Sequence, residues 1–178
     1  MSSIRISLDE NGVIERANKI LAGVPGGVNK AIVSASKRAG DQGKTKAGNF
    51  AAQKYTVSKG TFMSNVSVTL QISDGFTLTF RGGVIPLKRF RARDQRPNGV
   101  YASVKRGSGG RLSHAFTGPG GHFFERVGKS RLPIEKKFGP PAAHMMQNDE
   151  VIEQMDKVIT ETFEKRMEVE INRILAGL

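Results

Sequence analysis

The chain has 178 residues, no cysteine, no tryptophan and a formal net charge of +12. That length suits a single domain able to bury roughly two-thirds of its unfolded surface, and the missing cysteines exclude disulfides, thiolate metal ligands and thiol nucleophiles. No stretch approaches the roughly 18 apolar residues of a membrane span, and residues 1–10 lack the apolar run of a signal peptide, so the expectation is a soluble, non-exported protein.

Residues 4–8 alternate apolar and polar side chains, the period of a half-buried strand. A short helix is expected from Asn11 to Leu21, with Ile14, Ala17, Ile20 and Leu21 inward. Gly23, Pro25, Gly26 and Gly27 then interrupt the chain. A second helix is expected from Val28 to about Lys54, burying Val28, Ala31, Ile32, Ala35, Ala39, Ala47, Phe50 and Ala51. Gly40, Gly43 and Gly48 each weaken a helix by about 1 kcal/mol relative to Ala, which predicts a break near Gly40–Gly43.

From Tyr55 the pattern turns to β. Val66, Val68, Leu70 and Ile72 alternate with polar residues, as do Phe76, Leu78 and Phe80, and Ser73-Asp74-Gly75 between them has the chemistry of a hairpin bend. Further strands are expected at 99–105 and 122–127. The glycine-rich segments Gly107–Gly110 and Gly118–Gly121 read as loops that are mobile when free and order on a partner. The asparagine of Asn65-Val66-Ser67 has the form of a glycosylation sequon, a chance match in a chain with no secretory route.

The final element is the most regular. Ile152, Met155, Ile159, Phe163, Met167, Ile171, Ile174 and Leu178 fall at steps of three and four, one continuous helical face. Asn148 or Asp149 can cap its start, and Asp149, Glu150 and Glu153 suit the positive end of the helix dipole. So long a face exceeds what a small sheet covers, so part of it could dock on a neighbouring subunit. Packing on the helix at 28–54 is the plain alternative. Helices, then grouped strands, then a helix predict an α+β fold: an antiparallel β-sheet of about four strands packed by N-terminal helices, with a long C-terminal helix. The expected organisation is one domain over 1–178, in three parts at 1–54, 55–147 and 148–178.

Charge is unevenly placed. Residues 1–80 hold ten Lys/Arg against five Asp/Glu, residues 81–137 fourteen against three, and residues 138–178 four against eight. The middle of the chain therefore seeks an anionic partner, nucleic acid or protein. Lys88, Arg89, Arg91, Arg93 and Arg96 form its densest run, extended by Arg111, Arg126, Lys129, Arg131, Lys136 and Lys137. Only Phe90 interleaves the run, and no nucleic-acid-binding signature is present. The readings left open are non-specific contact with phosphates, contact with protein, and a solvated face.

Motifs for catalysis are weak. Gly128-Lys129-Ser130 resembles the end of a phosphate-binding loop, but position 123, where the motif needs its first glycine, is Phe. His114, His122 and His144 are too far apart in sequence for a usual metal-ligand pair. No serine sits in a Gly-x-Ser-x-Gly elbow. The expectation is no enzyme, no cofactor, no metal and no small-molecule substrate.

One stretch carries a resemblance. Pro86-Leu87-Lys88-Arg89-Phe90 is followed by Gly99-Val100-Tyr101-Ala102-Ser103-Val104, then by Ala115-Phe116, Gly121-His122 and Phe124-Glu125-Arg126. The densest part is Gly128-Lys129-Ser130-Arg131-Leu132-Pro133-Ile134, with Phe138-Gly139-Pro140-Pro141 after it. In order and spacing this resembles the prophage minor tail protein Z family, with residues 1–60 matching in pattern only. The resemblance implies a structural protein of a long-tailed phage or prophage, a tail-completion component near the head–tail junction, placed in the virion tail after assembly in the host cytoplasm. It also implies other tail or neck proteins as partners and a homo-oligomeric ring, with a hexamer as one candidate size.

Read physically, Pro133 and Pro140 cannot donate to a sheet ladder, so 132–141 should be stiff extended chain or a sheet edge. Leu132, Pro133, Ile134, Phe138, Gly139 and Pro140 are expected to anchor it on the core or at an interface. Lys88, Arg89, Arg91, Arg93, Arg126 and Arg131 are the expected partner- or phosphate-facing cations. Head-to-tail closure of a ring would join two different patches, and the acidic C-terminal segment and the basic middle supply opposite charges to steer it. The alternative is a basic module lying beside DNA.

Overall fold

A computed structural model describes residues 3–8, 12–72 and 76–177. Along the chain run β1 (Ser3–Ser7), α1 (Val13–Ile20), α2 (Gly27–Lys54), α3 (Lys59–Ser64), β2 (Val66–Gln71), β3 (Thr77–Gly82) and β4 (Val84–Pro86). They are followed by β5 (Arg91–Asp94), β6 (Val100–Ser103), β7 (Gly110–Leu112), β8 (Ala115–Thr117), β9 (Phe123–Arg126), β10 (Ile134–Lys136), β11 (Phe138–Pro141), α4 (Ala142–Met146) and α5 (Asp149–Leu175). The fold is of the mixed α+β class with antiparallel pairing and a long C-terminal helix. The expected sheet of about four strands is corrected: among the described residues the strands form four small sheets, ordered β1-β3-β2, β5-β6-β7, β10-β9-β8 and β11-β4. Glycine and proline interrupt the chain every few residues between 82 and 141, which keeps each strand there to three or four residues.

The chain divides into two compact units. The first comprises residues 1–47, 67–81 and 146–178, and the second comprises 48–66 and 82–145.

In the first unit β3 lies between β1 and β2, with Ile4 opposite Phe80 and Ile6 opposite Leu78 in the β1–β3 register. All four are buried, as the alternation requires. The expected hairpin bend at Ser73-Asp74-Gly75 lies outside the described residues, as do Asn11 at the expected start of α1 and Leu178 at the end of the helical face. In α1, Ile14 and Ala17 are buried as expected, but Ile20 is exposed and Val13 is buried instead. Ile72, beyond the end of β2, is also exposed.

The expected break of α2 at Gly40–Gly43 does not occur. Ala31, Ala35, Ala39, Gly43 and Ala47 recur every fourth residue and are all buried, a stripe of small side chains down one side of the helix. A Cβ on Gly43 would come within 2.5 Å of Ile159 Cδ1 and 3.2 Å of the Phe80 ring, and one on Gly40 within 3.0 Å of Val68. These glycines cost helix propensity but let α5 and the sheet approach, and the burial so gained outweighs about 1 kcal/mol each. Gly43→Ala is therefore expected to destabilise the protein by about 1–3 kcal/mol, the range for overpacking, although alanine is the better helix former. Urea unfolding would measure it, and an unchanged or raised midpoint would refute the close-approach account.

In α5, Met155, Ile159, Phe163, Met167 and Ile171 are buried as the periodicity predicts, together with Val151. Asn148 caps the helix, its side chain accepting the Glu150 N–H at 3.1 Å. The middle of this face packs within its own unit, as the plain alternative expects, with Gly43 of α2 against Ile159 and Gly27 of α2 near Ile174, while Ile152 and Ile174 are only half-buried.

Candidate interaction surface

The second unit holds the whole excess charge. Its residues include fifteen Lys/Arg and three Asp/Glu, whereas the first unit balances thirteen against thirteen. The acidic α5 thus belongs to a unit of zero net charge, where Arg16 lies 3.6 Å from Glu168. An acidic patch set against a basic one, as expected for head-to-tail steering, is not present at the level of whole units.

Two of the three acids of the second unit are engaged. Asp94 accepts hydrogen bonds from Thr117 Oγ1 at 2.6 Å and from the Arg96 backbone N–H at 3.0 Å, and pairs with the Arg96 guanidinium. The Thr117 bond first, then Arg96, holds its carboxyl below the usual carboxylate range. Glu125 accepts a hydrogen bond from Lys137, whose bond and charge lower its pKa likewise.

The basic run of the sequence is partly a strand. β5 pairs with β6 and β6 with β7, so that Arg93 lies opposite Tyr101 and Tyr101 opposite Arg111, with Arg91 opposite Ser103. Directly opposed residues share a face. Arg91, Arg93, Tyr101 and Arg111 therefore stand on one side of the sheet. The Arg93 guanidinium lies 5.5 Å from the Tyr101 ring centroid, and Gly109 packs against the Tyr101 hydroxyl, where a Cβ would not fit. Phe90, Arg91, Arg93, Tyr101, Ser103 and the 107–109 turn line a concavity of about 500 Å³. That turn is tied down: Ser103 Oγ donates to the Ser108 carbonyl at 2.6 Å, with the Lys105 carbonyl also within reach at 3.0 Å.

The β8–β9–β10 sheet repeats the theme. Phe116 lies opposite Phe124, and Phe124 opposite Lys136, with Arg126 opposite Ile134. The two rings stack at 6.4 Å, and the Arg126 guanidinium sits 5.4 Å from Phe116. Arg126 also donates to the Arg131 carbonyl at 2.5 Å, bracing the turn that joins β9 to β10. Cations over aromatic rings are attracted by the ring quadrupole. This interleaving is invisible in the linear chain, because each ring comes from a different strand than its cation.

Lys88 and Arg89 lie apart from that row, in the 3-10 turn Leu87–Arg89, where Lys88 Nζ donates to the Gly120 carbonyl at 3.1 Å. Lys136 Nζ stands 3.4 Å from His122 Nε2 and 5.5 Å from the Phe138 ring. Burial first, then the charges of Lys136, Lys88 and Arg89, lower the His122 pKa below its ordinary 6.5. Its unfolded form binds protons more readily, so the protein loses stability as pH falls below about 6.5, and the loss is complete below the folded pKa. Lowering of the Glu125 and Asp94 pKa values adds loss at lower pH, in the carboxylate range. An imidazole titration followed by NMR should place the His122 midpoint below 6.5; a midpoint above that would contradict the crowding of cations.

The 132–141 segment is extended as expected, but Leu132 and Phe138 do not anchor it on the core. Leu132 is 67% exposed and Phe138 45%, while Ile134 is half-buried. Pro133 is exposed and Pro140 half-buried. The covered place goes instead to Phe90, packed against Gly139 where a Cβ would collide with the ring. Ala142, Ala143, Met145 and Met146 are also buried. Among the described residues no group of His, Asp or Glu is arranged to hold a metal ion, and no helix is long and apolar enough to cross a membrane.

Comparison of the chain with family models, with curated proteins and with solved structures finds no match.

Proposed function

We propose that this chain is a structural minor tail protein of a long-tailed phage or prophage, a tail-completion component near the head–tail junction that works by assembling with other subunits into a ring. The resemblance of residues 86–141 to the minor tail protein Z family motivates the reading. The observation that carries it is the surface of the second unit, where Val84, Val127, Leu132 and Phe138 are each exposed by 45–67% within the unit that bears all the net charge. Exposed apolar side chains among cations suit a surface completed by another chain better than one left in water.

Quantitative mass spectrometry of purified particles tests this. The chain should be present at a fixed small copy number, and particles made without it should be defective at the head–tail junction. Its absence from normal particles would overturn the reading.

A second reading, a basic module contacting DNA phosphates, is favoured by the Arg91, Arg93 and Arg111 row. It expects the isolated protein to bind random duplex DNA with an affinity falling steeply with salt, by about 0.9 in log–log slope for each phosphate neutralised. Anisotropy titrations at several salt concentrations would read the slope, and a flat response would remove the reading.

A further inference from the structure

The β4–β11 ribbon presents two different faces. Phe138 lies opposite Pro86 and Pro141 opposite Val84, with an irregular register between them. Ile85 is fully buried, whereas its neighbour Val84 is 52% exposed and Phe138 45%. One side of the ribbon therefore joins the core and the other shows apolar side chains to solvent. Pro86, Pro140 and Pro141 have no N–H, so the ribbon is a poor template for an added strand. A partner would meet it through side chains.

One cation lies over this face and two more follow it in the chain. Lys136 Nζ lies over the Phe138 ring, and Lys88 and Arg89 follow Pro86 within three residues. None of the three has a carboxylate partner among the described residues. Glu125 is tied to Lys137, and the β9–β10 register puts it on the opposite side of its sheet from Lys136. Lys136 has instead the His122 imidazole and an aromatic ring for company, and the Nδ1 of that imidazole is buried without a partner. Like charges gathered without a counter-ion repel one another, and an incoming anion relieves that repulsion.

We propose that the outer face of the ribbon, Val84, Pro86 and Phe138, together with Lys88, Arg89 and Lys136, docks a segment of another protein in which carboxylates alternate with apolar side chains. This rests on the assembly reading and gives its partner a chemistry. A nucleic-acid backbone would satisfy the cations but leave Val84 and Phe138 wet, whereas such a segment covers both. Charge complementarity orients it, and apolar burial holds it.

The test uses the full chain with three probes: a short peptide alternating Glu and Leu, an oligoglutamate of equal charge, and a short duplex DNA. The Glu–Leu peptide is expected to bind about tenfold more tightly than oligoglutamate, a difference of about 1.4 kcal/mol. It should raise the His122 midpoint, because its carboxylates offset the field of Lys136. Lys136→Glu should weaken the peptide about tenfold, and the pair Val84→Ser and Phe138→Ser should abolish its advantage over oligoglutamate. Equal binding of both acidic peptides would overturn the proposal. So would DNA moving the His122 signal in preference to either peptide, or self-association of the chain moving it without any probe. Normal incorporation of the Val84→Ser, Phe138→Ser variant into particles would sink the docking site and spare the assembly reading. Failure of the wild-type chain to enter particles would sink the assembly reading, whatever the peptide does.

Discussion

Phe163→Ala is expected to cost about 3–5 kcal/mol of unfolding free energy, the range for truncating a buried aromatic side chain. Phe163 is fully buried near the middle of α5, with Ile159 and Met167 one turn away on either side, both also fully buried. One turn away, at Ile159, the facing α2 residue is Gly43, which has no side chain to swing into space left behind. Domains are stable by about 5–15 kcal/mol in total, so the variant should unfold at a much lower urea concentration. Circular dichroism at 222 nm would follow it, since the two longest helices contribute to this unit. A loss under about 1 kcal/mol would mean that the α5 face is not the core of its unit, and would revive its use as a docking surface for a neighbouring subunit.

Much of that unit was legible in the sequence because its elements are long and periodic. Seven apolar residues at helical spacing, from Ile152 to Ile174, mark the face of α5 whatever they pack against, and the alternation of Val66–Leu70 and Phe76–Phe80 marks two strands. What sequence reading missed was the meaning of the glycines in α2. Propensity treats Gly40 and Gly43 as weak points, and only the atoms opposite them, Val68, Leu78, Ile159 and Phe80, show them to be contact points.

The second unit was far less legible. Three-residue strands such as β7, β8 and β10 give no period to read, and β5 hides in a run of arginines whose charge masks its alternation. The cation–ring pairs Arg93–Tyr101, Arg126–Phe116 and Lys136–Phe138 depend on strand register or on a turn, neither of which composition encodes. Sequence alone offers Leu132 and Phe138 as anchors on the core or at an interface, because they are apolar and lie in a proline-stiffened segment. Ile85, Leu87 and Phe90 take the buried places instead.

The second large effect concerns the cations. Changing Lys88, Arg89, Arg91 and Arg93 together to Glu is expected to lower the yield of functional particles at least about tenfold while leaving the isolated protein folded. The fold should survive because none of the four is fully buried or paired with a carboxylate among the described residues. What is lost inside the protein is one hydrogen bond to Gly120 and one cation–ring contact at Tyr101, each worth about 1 kcal/mol or less at an exposed site. Relief of repulsion among Lys88, Arg89, Lys136 and the neighbouring arginines acts in the opposite direction. The intermolecular effect has no such compensation. Four reversals remove eight units of positive charge from a unit holding fifteen basic and three acidic residues, and an anionic partner then meets repulsion where it met attraction. Association rates respond most strongly to such a change, so the defect should appear as slow or failed incorporation rather than as unstable finished particles. Thermal melting of the isolated variant, compared with its yield in particles, separates the two effects. Wild-type incorporation by a fully folded variant would show that these cations are a solvated surface.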